Sequence, residues 1–163
     1  MLALRYAYLL ALVIWLGGMV VAGLVVAPSA FGVLQAWNPT EGRVLAGQVF
    51  GAVLGQLHLL GYAAGALMIV VLTIQRLLGP RPVAYGLRAG LVALMLGVML
   101  YSGLVLLPEI EAIQAGVQGP MNQLQADDAR RVRFDVLHAR STNLVGAAIA
   151  GGLILLLWEA REK

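Results

Sequence analysis

Four long apolar runs separated by short polar breaks organise the chain. They extend from about Tyr6 to Leu34, Val49 to Ile74, Leu87 to Leu107 and Val136 to Trp158. A helix needs about 20 apolar residues to cross a hydrocarbon layer about 30 Å thick, and each run meets that length. The pattern predicts an all-α fold: an integral membrane four-helix bundle, one domain over residues 1–163. Arg5 ahead of the first run resembles the start of a secretory signal, but the run is too long for a signal's apolar region and is read as a retained span.

The breaks carry helix-start and helix-stop chemistry. Asn38-Pro39-Thr40-Glu41 reads as an N-cap, a proline at N1 and a glutamate at N3. Gly119-Pro120 marks a second break before a helical stretch. Spans 2 and 4 are therefore expected to begin outside the membrane, and Glu109 to Gln118 to continue span 3 outward. Pro28 and Pro108 are expected to bend or end spans 1 and 3. No linker, low-complexity segment or second domain is visible.

Composition sharpens this picture. Hydrophobic residues make up 61% and charged residues 12% of 163, with a mean hydropathy of +0.88. Soluble domains carry about 25% charge, so a soluble enzyme domain, a disordered chain and a nucleic-acid-binding module are excluded. The net charge is only +3. The basic residues cluster at span ends, as in a membrane protein, with no phosphate-binding face. Six (Arg5, Arg76, Arg81, Arg88, Arg161, Lys163) fall on the side of the termini and four (Arg43, Arg130, Arg131, Arg133) on the other. That bias predicts a multi-pass protein of the cell (inner) membrane with both termini cytoplasmic. Tyr6, Tyr8, Tyr85 and Trp158 at the inner span ends read as interfacial anchors. Cysteine is absent, which excludes disulfides, thiolate metal sites, iron–sulfur clusters and covalently attached haem.

The chain repeats itself at an offset of 80. Leu16, Gly17, Met19, Gly23, Leu24, Val25 and Pro28 fall on Leu96, Gly97, Met99, Gly103, Leu104, Val105 and Pro108, seven identities in thirteen positions. The same offset places Leu57-His58 on Leu137-His138, and the chain has only two histidines. The bundle is therefore expected to consist of two parallel two-helix repeats about an axis along the membrane normal. At 1.5 Å per residue, His58 lies about 27 Å from Arg76 and His138 about 31 Å from Glu159, so the imidazoles are expected at similar depth, facing each other.

Two neutral imidazoles on facing helices of a four-helix bundle form an axial pair for haem b. His58 and His138 are the candidate ligands. Gly51, Gly55, Gly61 and Tyr62 share a face with His58, where a flat macrocycle needs neighbours without bulk. Arg131 and Ser141 share a face with His138, and Arg131 is placed to pair with a propionate. The alternative is that the glycine row is a helix-packing device and the histidines are structural; a proton or ligand site is a third reading. Arg140 is read as pairing with Glu109 or Glu111, or as extending to the outer interface. No nucleophile–base arrangement is visible. The function expected from the residues is a bis-histidine haem b protein in electron transfer or haem handling. The competing reading is a non-redox structural or accessory subunit of a larger complex. The lipid bilayer and other membrane or redox subunits are the expected partners, and nucleic acid is not.

Trp15-x-Gly17-Gly18, Ala27-Pro28-x-x-Phe31, Ala46-Gly47-x-x-Phe50 and Arg133-Phe134-x-x-Leu137-His138-x-x-Ser141-x-Asn143 resemble the transmembrane protein 205-like family. That family is a domain of unknown function within the copper-resistance-D-like group of small helical membrane proteins. The resemblance implies a four-helix membrane bundle and, because that group includes haem-binding members, a haem. It does not imply the protoporphyrinogen oxidase reaction found in the group. Span 1 has neither the histidine nor the lysine of that enzyme.

Overall fold

The computed structural model describes residues 2–79 and 84–161. Of the sequence Gly79-Pro80-Arg81-Pro82 between spans 2 and 3, which carries the Arg81 counted above and reads as a turn, only Gly79 falls among the described residues. The order of elements is α1 (Leu2–Val21), a π turn (Ala22–Val26), α2 (Ala27–Trp37), α3 (Glu41–Leu78), α4 (Tyr85–Tyr101), a second π turn (Ser102–Leu106), α5 (Leu107–Ala115), a 3₁₀ turn (Met121–Gln123) and α6 (Ala129–Arg161). The fold is all-α, with no strand among the described residues. Continuous helical runs make four candidate membrane spans: Leu2–Trp37, Glu41–Leu78, Tyr85–Ala115 and Ala129–Arg161, of 36, 38, 31 and 33 residues.

Neither proline ends its helix. A proline ring clashes with the carbonyl four residues back and supplies no N–H. The chain answers by widening one turn. The Ala27 N–H reaches five residues back to Ala22 O just before Pro28, and the Leu107 N–H reaches Ser102 O just before Pro108. Membrane helices tolerate proline through such adjustments. The two π turns stand 80 residues apart, as the two prolines do.

Consecutive spans pack side by side and span 4 returns to span 1, so spans 1 and 3, and spans 2 and 4, lie across the diagonals. A 38-residue helix is about 57 Å long, well beyond a hydrocarbon core of about 30 Å. The core lies towards the end that carries Leu2 and Arg161, here the terminal end. It contains Tyr8, Leu12, Trp15 and Met19 of span 1, Met68 and Leu72 of span 2, Met95 and Met99 of span 3, and Ala148 and Leu155 of span 4. Elements α2 and α5 at the far end bury no residue fully.

The far end is closed by caps. Asn38 Oδ1 accepts from the backbone N–H groups of Thr40 and Glu41, both at 3.0 Å. The capping role of Asn38 is thus as expected, but α3 begins at Glu41, so Pro39 precedes the helix and does not open it. Asp128 caps α6: its Oδ1 accepts from Arg130 N at 2.8 Å. Contact with Arg130 holds the Asp128 carboxyl down at about 2. Glu109 on α5 pairs with Arg133 on α6 at 2.6 Å. That corrects one expected partner of Arg140, which is exposed.

Candidate functional site

Span 2 is where the interior becomes polar. His58 is 5% exposed. Its Nδ1 lies 2.7 Å from Leu54 O, one turn back on the same helix. That contact puts the imidazole proton on Nδ1 and makes Nε2 an acceptor. Buried Nε2 meets no hydrogen-bond partner among the described residues, and neither does the indole Nε1 of Trp15. Tyr62, one turn on, tilts against the His58 ring at 6.2 Å and donates from its hydroxyl to Met99 O at 3.4 Å.

Small residues let these side chains in. A Cβ added at Gly103, inside the second π turn, would fall 2.6 Å from His58 Cδ2 and would also strike the Tyr62 hydroxyl. At Gly61 it would fall 2.9 Å from both Trp15 Nε1 and Met99 Cε, and at Gly65 it would press on Leu96 and Trp15. The glycine row on span 2 is thus occupied at its inner half by neighbouring helices. Gly51 faces Glu111 more loosely, with 3.9 Å to an added Cβ, and Gly55 has nothing near it.

The residues expected around His138 are elsewhere. His138 is exposed, and its ring stacks on Phe134 at 5.7 Å and 7°. Leu137 is the residue of that turn that points inward, at 1% exposure. Arg131 donates to Leu124 O at 2.7 Å and lies 4.0 Å from Asp135. Ser141 is half-buried. Spans 2 and 4 are diagonal partners, as facing ligands require, but one imidazole points into the bundle and the other out of it. The backbone of Gly103 presses on the first. As placed, these residues do not fit a haem b held between the two histidines. A one-residue difference in helical phase, about 100°, separates the buried Leu137 from the exposed His138. Among the described residues no group of three or more His, Asp or Glu side chains is placed to hold a metal.

A polar cluster at the terminal end went unread in the sequence. Glu159, 4% exposed, accepts from Arg5 at one carboxylate oxygen and from Arg88 at the other. Arg5 also donates to Glu159 O at 3.0 Å. Arg88 is 2% exposed and lies over the Tyr8 ring at 5.4 Å. Tyr8, expected at the interface, is therefore a core residue at 2% exposure. Arg76 covers Tyr85 at 4.7 Å and joins spans 2 and 3. The sequence did carry a signal: one acid inside the last apolar turn of span 4, at the depth of two arginines on other spans.

These observations define a four-span helical membrane protein with a filled interior, one inward histidine and an ion-paired terminal end. The chain belongs to the family described as Domain of unknown function (DUF4149), whose model matches residues 10–118. That match covers Trp15, His58, Tyr62 and Gly103 and stops short of His138, Arg131 and Ser141. No curated protein and no solved structure matches the chain.

Proposed function

We propose that the protein is a non-redox structural or accessory subunit of a larger membrane assembly, joined to it through span 4. One observation carries this reading. Most spans turn large apolar residues outward, such as Leu24 and Val25 on span 1, Leu59 and Leu67 on span 2, and Leu94 and Leu104 on span 3. The middle of span 4 instead exposes His138, Ala139, Thr142, Asn143, Gly146, Ala147 and Ala150. In lipid, helix association is driven by close packing of small residues and by interhelical hydrogen bonds, so small and polar residues mark the contacting face. Exposed Arg140 beside this face is costly in hydrocarbon, and a partner helix that accepts from it removes the cost. Two further readings belong with this one: a two-repeat ancestry, supported by the matched π turns, and the likeness to the transmembrane protein 205-like family, supported by the motif around Arg133 to Asn143.

Photo-crosslinking in native membranes tests the proposal. A photoreactive residue at Asn143 or Thr142 is expected to capture a polypeptide, and the same residue at Leu24 or Leu59 only lipid. Lipid adducts alone at all four positions overturn it. A sharp reduced-minus-oxidised α-band, lost in both His58→Ala and His138→Ala, would restore the haem reading.

A further inference from the structure

We propose that the exposed face of span 4 binds the same face of a second copy of this chain, giving a two-fold dimer about the membrane normal. This rests on the reading of span 4 as the contact face of an assembly. Span 4 is the least enclosed of the four: 22% of its most apolar stretch is buried, against 28–39% in the others. One row along it, Val136, Ala139, Asn143, Gly146, Ala150 and Leu153, is exposed throughout. Its steps of three and four residues are those of the a and d positions of a helix pair. Any lipid-facing row has that spacing, so its contents decide. The middle four side chains are small or carry an amide, as close approach of two backbones in lipid requires. Val136 and Leu153 close the row at its ends, 46% and 53% exposed.

Charge and symmetry select the occupant. Two copies inserted the same way present span 4 in parallel, so each residue of the row meets its own counterpart near the axis. Asn143 is self-complementary there: its amide N–H in one copy donates to its amide oxygen in the other. A single asparagine at such a position fixes the register of a parallel pair. Asp135 and Arg140 flank the row on opposite sides, at the g and e positions where helix pairs exchange salt bridges. Arg140 is exposed and makes no ion pair among the described residues. Asp135 is 65% exposed, with Arg131 no nearer than 4.0 Å and donating to Leu124 O. Five residues separate Asp135 from Arg140, about 7.5 Å of rise, a distance that an arginine side chain bridges. In the parallel pair Arg140 of each copy therefore meets Asp135 of the other, twice by symmetry. The face carries its own complement, which singles out a second copy as its partner.

Disulfide trapping of the full chain in native membranes tests this. The chain has no cysteine, so one introduced thiol per chain reports a single position. Copper–phenanthroline oxidation of Ala139→Cys or Ala150→Cys is expected to give a product of twice the monomer mass that contains only this chain. Leu24→Cys and Leu59→Cys are expected to stay monomeric. With Ala139→Cys in place, Arg140→Asp or Asp135→Arg sets like charges against each other and is expected to cut the dimer yield about fivefold or more. The two changes together are expected to restore it, which a misfolded chain would not do. Monomer alone at Ala139 and Ala150, equal yields at all four positions, or a double variant no better than the single ones overturns the proposal. A different polypeptide captured at Asn143 overturns the second copy and leaves span 4 a contact face, whereas lipid adducts alone at Asn143 overturn both.

Discussion

Gly103 of span 3 sits directly beneath the imidazole of His58, 2.6 Å from Cδ2 at the position an added Cβ would take. The equivalent glycine 80 residues earlier, Gly23, has nothing within 4 Å. The same residue in the same kind of π turn therefore does different work in the two halves of the chain.

That contrast makes a paired prediction. Gly103→Ala is expected to destabilise the protein by about 1–3 kcal/mol, because the His58 ring is pinned at Leu54 O and cannot retreat. Gly23→Ala is expected to be neutral or to stabilise by up to about 1 kcal/mol, since alanine favours helix over glycine. Thermal unfolding in one detergent checks both. A harmless Gly103→Ala would mean that the contact is soft.

The two histidines should also separate. His58→Ala leaves a void and deletes the bond to Leu54 O, so a loss of about 1–3 kcal/mol is expected. His138→Ala, on an exposed ring, is expected to stay within about 0.5 kcal/mol of the parent in detergent. Equal losses would contradict the outward placement of His138.

Glu159 is the hinge of the terminal-end cluster. Glu159→Ala removes the carboxylate from buried Arg88 and from Arg5 together. Breaking a buried ion pair from one side costs about 3–5 kcal/mol. The expected result is a sharply lower melting temperature, with Glu159→Gln intermediate because its amide oxygen still accepts a hydrogen bond. An unchanged melting temperature in Glu159→Ala would show that the cluster contributes little to stability.

Asp128 sets an acid limit on the start of α6. Its carboxyl is depressed to about 2 from 3.8, first by the side-chain hydrogen bond from Arg130. A depressed carboxyl contributes stability that is present above the unfolded value and is lost as pH falls through the folded one. The first turn of α6 is therefore expected to keep its amide protection at pH 4 and to fray between pH 4 and 2, while Asp128→Asn removes that pH dependence. Hydrogen exchange at residues 130–132 reads it, and a carboxyl titration midpoint near 3.8 would refute the cap.

The start of span 2 was legible because capping is local: Asn38 accepts from N–H groups two and three residues away. The start of span 4 was not: Gly119-Pro120 marked the break, and α6 begins nine residues after Pro120, at Ala129 behind the Asp128 cap. The glycine row on span 2 was legible as a face, but not what fills it, since Trp15, Met99 and Leu96 arrive from other helices. The 80-residue offset placed the prolines and the π turns together and still misplaced His138. An offset fixes position along a helix and leaves its rotation to packing.

Taken alone, the sequence determined the number of apolar spans and their helical nature. These follow from hydrophobic length and backbone hydrogen bonding, which each segment must satisfy by itself in lipid. Only the tertiary structure decided that His58 faces Gly103 and His138 faces outward, and that Arg5, Arg88 and Glu159 meet. Those outcomes depend on the phase of each helix about its own axis. In a bundle apolar nearly all round, hydrophobicity leaves that phase undetermined, and close contacts such as Trp15 on Gly61 set it.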